Sequence, residues 1–215
     1  MPIRSLLCVV FSLTLAPCAW AGLITYGVTV DTSSISGTTG SLDFNFDPGL
    51  SATQPASLQV LNFASAGTLV NCAANVQGFC PTGDVSGLLP ATLTFDNGTA
   101  FNDYFDGFTF GPTLSFEVSL SGPALSSPDG VSTSGSTFAF SMFSDAAGTI
   151  PALTTDLVDG FAATIDVNLD GTTTVTNFSP QTSVGASPEP SSVVLIGTAF
   201  ALMGALLRLG RLRRA

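Results

Sequence analysis

Between Gly22 and Ser187 the chain is built from short runs in which apolar and polar residues alternate strictly. Leu114, Phe116, Val118 and Leu120 are separated by Ser115, Glu117 and Ser119. Leu42, Phe44 and Phe46 alternate with Asp43, Asn45 and Asp47, and Phe138, Phe140 and Met142 with Ala139 and Ser141. Ile165, Val167 and Leu169 alternate with Asp166, Asn168 and Asp170. Successive side chains of a strand point to opposite faces, so such runs predict half-buried strands. Asp47-Pro48-Gly49, Asn97-Gly98, Asp129-Gly130 and Asp170-Gly171 break the runs. Asn-Gly and Asp-Gly suit two-residue turns because both positions tolerate positive φ. Asp170-Gly171 is expected to close the last hairpin, between strands over 161–169 and 172–178. About nine or ten strands follow from this pattern. The expected fold is all-β, a single antiparallel β-sandwich or jelly-roll-like domain over 22–178. Of 17 Phe residues, 15 fall in this stretch, and those that alternate with polar groups are expected in the core.

Charge narrows the function. Of 15 acidic residues, 14 lie between Gly22 and Ser187, where there is no Lys, Arg or His. That stretch has a net charge of -14, against -10 for the whole chain. Without a basic patch there is no footprint for nucleic acid. Without imidazole there is no Ser-His-Asp or Cys-His catalysis, and without Lys no Schiff base. A zinc site of Cys and His is equally disfavoured. The stretch reads as an exported binding or structural domain and not as an enzyme.

The five Arg residues are Arg4, Arg208, Arg211, Arg213 and Arg214. At the front, Arg4 precedes the apolar run Leu6 to Ala16, and Ala19-Trp20-Ala21 supplies small residues before a cut. Residues 1–21 are therefore expected to be a signal peptide, read by the export translocon and signal peptidase, with cleavage after Ala21. Pro17 before Cys18 argues against a lipoprotein signal. At the back, a polar linker is expected over 179–187. Pro188-Glu189-Pro190 follows, then an uncharged segment over 191–207, then the Arg-rich end over 208–215. As a helix the uncharged segment spans roughly 25 Å, marginally enough for a membrane. Arg208, Arg211, Arg213 and Arg214 should hold that end in the cytoplasm and leave the domain outside.

Pro188-Glu189-Pro190, the uncharged segment and the terminal Arg cluster together resemble the PEP-CTERM sorting signal of Gram-negative bacteria. The resemblance covers residues 188–215. It implies recognition by an exosortase, cleavage near the motif, and delivery to the cell surface or the exopolysaccharide matrix. A Gram-positive sortase substrate would need LPxTG, which is absent. The central stretch is similar to exported Phe- and Gly-rich β proteins that carry the same tail. The resembling segments are SLDFNFDPG (41–49), FNDYFDGFTFGPTLSFEVSLS (101–121) and LDGTTTVTNFS (169–179). That resemblance implies one extracellular domain and adds no active site.

Some residues invite specific chemistry. Cys72 and Cys80 are the only cysteines left after signal removal, and an exported pair is expected to form a disulfide. Closing so short a loop stabilises by roughly 2–3 kcal/mol in the chain-entropy model. Asp166, Asn168 and Asp170, followed by Gly171, match the opening of a calcium loop, D-x-N-x-D-G. The twelfth position is Asn177 where Glu is required, and a strand with an exposed Asp/Asn ladder explains the pattern equally. Asp43, Asn45 and Asp47 repeat it. Asp96, Asp103 and Asp106 are a third acidic group. The run Asn102 to Asp106 joins polar and aromatic groups around Tyr104, as a sugar site would. Acid–acid hydrolysis needs only two carboxylates, but no dyad is marked. The expected function is that of an exported structural or adhesive component, with a calcium-dependent or carbohydrate-binding module as the alternative and a carboxylate-based glycoside hydrolase behind it.

Overall fold

The computed structural model describes residues 23–70 and 81–187, together with Thr198 and Met203. The expected cleavage residues Ala19 and Ala21, the pair Cys72 and Cys80, the motif Pro188-Glu189-Pro190 and the Arg cluster lie outside the described residues. Among the described residues, no helix is long and apolar enough to cross a membrane.

The described chain is nearly all β. In chain order its strands are β1 (Ile24–Asp31), β2 (Thr39–Pro48), β3 (Ser57–Ser65), β4 (Thr68–Leu69), β5 (Val85–Ser86) and β6 (Leu93–Asp96). They continue with β7 (Asp103–Thr109), β8 (Thr113–Ser121), β9 (Ser136–Phe143), β10 (Phe161–Val167), β11 (Thr173–Asn177) and β12 (Thr182–Ala186). They form two six-stranded sheets, in the orders β12-β1-β8-β3-β6-β5 and β11-β10-β9-β2-β7-β4. All the strand pairings are antiparallel.

Alternation sets which side of each sheet is apolar. Leu114, Phe116, Val118 and Leu120 of β8 all face the core, as do Leu42, Phe44 and Phe46 of β2 and Phe138, Phe140 and Met142 of β9. Both sheets contribute to one core. The Phe44 ring lies 5.2 Å from Phe116 of the facing sheet and 5.0 Å from Phe140 beside it. Phe116 meets Phe140 at 5.0 Å in an edge-to-face contact, the geometry that ring quadrupoles favour. Asn97 fastens the sheets at one end: it follows β6, and its Nδ2 donates to Ser136 Oγ of β9 at 2.8 Å.

Three expectations are corrected. Residues 179–187 do not form a linker throughout. They contain β12, whose Thr182 to Ala186 pair with Val30 to Tyr26 of β1 and cover that sheet edge. The Asn97-Gly98 turn does not close a hairpin, because β6 and β7 belong to different sheets. The final hairpin exists, but its turn is longer than two residues. Asn168 N–H bonds to Thr172 O and Gly171 N–H to Asn168 O, with Gly171 at φ +81°. Leu169 therefore sits in the turn, 51% exposed, and does not continue the buried face of β10.

Candidate functional site

The side of β2 turned away from the core carries Asp43, Asn45 and Asp47. Register places Asn45 opposite Asp103 of β7 on one flank and Asp43 opposite Ser141 of β9 on the other. Cross-strand partners share a face, so these side chains meet on the outer side of the second sheet. The face is partly roofed. Ser41 Oγ donates to Asp145 O at 2.9 Å. Gly148 lies so close beneath this roof that a Cβ there would stand 2.6 Å from the Phe105 ring. Its φ of +70° also favours glycine.

Acidic groups crowd together here, partly withdrawn from solvent. Asn45 Nδ2 donates to Asp43 Oδ1 at 2.9 Å. The carboxyls of Asp43 and Asp103 are near enough to share a proton. Burial pushes Asp103 up to about 9, and its bond to Asp43 and the charges of Asp43 and Asp47 push the same way. Burial also raises Asp43, opposed by its bonds to Asp103 and Asn45. Asp47 is raised by burial too, although it accepts the Asn102 N–H at 2.6 Å. The pair therefore holds on to one proton well above the ordinary carboxylate range, chiefly because burial disfavours a second charge. Three buried oxygens of this face have no hydrogen-bond partner: Asn45 Oδ1, Asp103 Oδ1 and Ser141 Oγ.

The other singled-out residues are distributed differently. Asp166 accepts Thr137 Oγ1–H at 2.7 Å across β9 and β10. Asn168 Nδ2 donates to Thr172 and Thr174, each at 3.0 Å. Asp170 Oδ1 accepts the Thr172 N–H at 3.0 Å and its hydroxyl at 2.6 Å, which lowers its pKa. These bonds hold the β10–β11 hairpin together. Among the described residues, no three acidic or cysteine side chains are grouped to hold a metal by themselves.

Asp96, Asp103 and Asp106 do not form a cluster. Asp96 accepts the Ser57 hydroxyl on the first sheet, Asp103 faces outward, and Asp106 faces the core. Tyr104 is not a sugar platform: its side chain is fully buried, and its hydroxyl donates to Asp106 Oδ2 at 3.2 Å and accepts the Leu89 N–H at 3.1 Å. Burial raises the Asp106 pKa, while the Tyr104 bond opposes it. Tyr26 is also buried, with its hydroxyl 2.6 Å from Thr173 Oγ1. Glu117 accepts Asn62 Nδ2–H at 2.9 Å on the outer side of the first sheet.

Sequence reasoning misplaced one residue, expected in a surface sugar site, and missed another. Asn102 is fully buried and donates through Nδ2 to Phe46 O and Thr99 O, while its Oδ1 accepts from Asp84 N–H. Ser141 read as an ordinary polar face position, and only its cross-strand neighbour reveals its place beside Asp43. Elsewhere, a cleft of about 10 Å³ between Thr53, Ser134 and Val167 has room for about one water. An open depression of about 470 Å³ is lined by Gly83, Asp84, Val85, Ser86, Thr94 and Asp96. In comparisons with known proteins, no family model, no curated protein and no solved structure matches this chain.

Proposed function

We propose that this chain is an exported, non-enzymatic surface or matrix component. In this reading an acidic β-sandwich of jelly-roll-like build is carried between two addresses. The signal peptide ends at Ala21. The PEP-CTERM-like tail brings the chain to an exosortase in the inner membrane, which cuts near Pro188-Glu189-Pro190 and releases the domain to the surface or the exopolysaccharide matrix.

The observation that carries the proposal is where the domain ends. Ser187 N–H donates to Thr25 O at 2.8 Å, immediately before Pro188. Strand β12 lies beside β1, so Leu23 and Ser187 leave the body at the same end of one sheet. Both addresses can be removed there without breaking a strand. Proline at 188 and 190 biases its neighbours to extended backbone, the form a protease binds. Glu189 supplies a single negative charge for a basic group of that enzyme.

A cation-binding module is the second reading, favoured by the partnerless oxygens around Asp43. Sugar binding by ring stacking is not favoured, since both tyrosines of the domain are buried. The sorting proposal is tested by expressing Glu189→Ala full-length protein in an exosortase-bearing Gram-negative host and fractionating the cells. The variant should accumulate unprocessed in the inner membrane while the wild type reaches the surface or matrix. Normal processing of the variant would contradict the role given to Glu189.

A further inference from the structure

We propose that Asp43, Asn45, Asp103 and Ser141 form a divalent-cation site on the outer face of the second sheet, and that calcium is the ion it fits. The inference does not depend on how the chain is sorted.

Ser141 carries the argument. It is only 1% exposed, its hydroxyl oxygen has no partner, and it stands directly across from Asp43. A buried hydroxyl left unpaired keeps the full cost of its desolvation, so such a group calls for a missing partner. Asn45 Oδ1 and Asp103 Oδ1 on the same face are buried and partnerless as well. Ser141 Oγ and Asn45 Oδ1, with Asp103 Oδ1 of the carboxyl pair itself, make a cluster of oxygens with no positive group beside it. The domain cannot provide one, since no Lys, Arg or His occurs between Gly22 and Ser187. The partner must come from solvent.

The donor set selects the ion. It consists of two carboxylates, an amide oxygen and a hydroxyl, all hard oxygen ligands. Calcium accepts such mixed sets at irregular geometry and completes its shell with water, whereas magnesium demands a near-ideal octahedron. Thiolate- and imidazole-seeking metals find no ligand here. Entry of the ion displaces the proton that Asp43 and Asp103 share, so both carboxylates become charged only when the cation balances them.

Isothermal titration of metal-free full-length protein with CaCl₂ at fixed ionic strength tests the site. One ion should bind per chain with a Kd of about 0.1–1 mM, the range of extracellular oxygen-donor sites. Calcium at tenfold Kd should raise Tm by about 3–6 °C. Asp103→Asn preserves the shape of the protonated acid and so retains the fold, yet it should weaken binding by about tenfold or more. Ser141→Ala should weaken binding several-fold, and Asp170→Asn should leave it unchanged. Absence of heat and of any Tm shift up to about 10 mM calcium would overturn the site. So would binding that Asp103→Asn and Ser141→Ala leave intact, or binding that Asp170→Asn removes.

Discussion

Asp103 is the residue in which the environment most changes the chemistry. Its ordinary carboxyl pKa would leave it charged at neutral pH, but burial and the neighbouring Asp43 push it up to about 9. Asp43, Asp47 and Asp106 are moved in the same direction, each mainly by burial. A raised carboxyl pKa means that the folded chain holds a proton the unfolded chain releases. Stability contributed in this way is complete below the unfolded pKa and is lost as pH rises toward the folded one. Asp31, Asp129, Asp145 and Asp170 are shifted down and act only in the acid range. In metal-free buffer the denaturant midpoint should therefore fall between pH 5 and pH 8. Asp103→Asn should flatten that dependence. A midpoint that stays level or rises for the wild type would contradict the shared proton.

At the scale of elements, alternation carried much of the fold. The apolar sides of β2, β8 and β9 are those the sequence pattern marks, because each strand buries one face and wets or roofs the other. Where no alternating apolar run exists, the pattern is silent. β12 reads TSVGA, with small and polar residues that look like linker. It is a strand because β1 offers an unpaired edge, a fact of topology that no local propensity encodes. The oxygen cluster was hidden for a related reason. Asp43, Asp103 and Ser141 lie far apart in sequence and are joined only by the register of β2 with β7 and β9. The D-x-N-x-D spacing marked Asp43 and Asn45 as well as Asp166, Asn168 and Asp170, and the groups of the latter three bond to β9 and within the hairpin. Tyr104 misled in the same way, since its polar neighbours suggested a surface and its hydroxyl finds its partners inside. Hydrogen-exchange mass spectrometry reads the corrected boundary. β12 is the edge strand, so those amides of Thr182 to Ala186 that point to β1 should be protected. Exchange within seconds, as in a free linker, would show that β12 is not part of the fold.

For the whole molecule, the charges separate into parts with different tasks. Every cation of the chain lies within Arg4 or the last eight residues, and the domain between them carries only acids. Such a domain repels itself and other polyanions, and it has no side chain with which to form an internal ion pair. Its cohesion comes from the aromatic core shared by the two sheets and from hydrogen bonds such as those of Asn97 and Asn102. In the proposed reading its delivery falls to the segments beyond Leu23 and Ser187, which emerge together at one end of the first sheet. The most direct test of this account is mass spectrometry of the terminal peptides of protein recovered from the cell surface or matrix. The account predicts a chain that begins at Gly22, ends near Pro188-Glu189-Pro190, and lacks the Arg-rich end. Recovery of the chain only from the inner membrane, with residues 191–215 still attached, would contradict it.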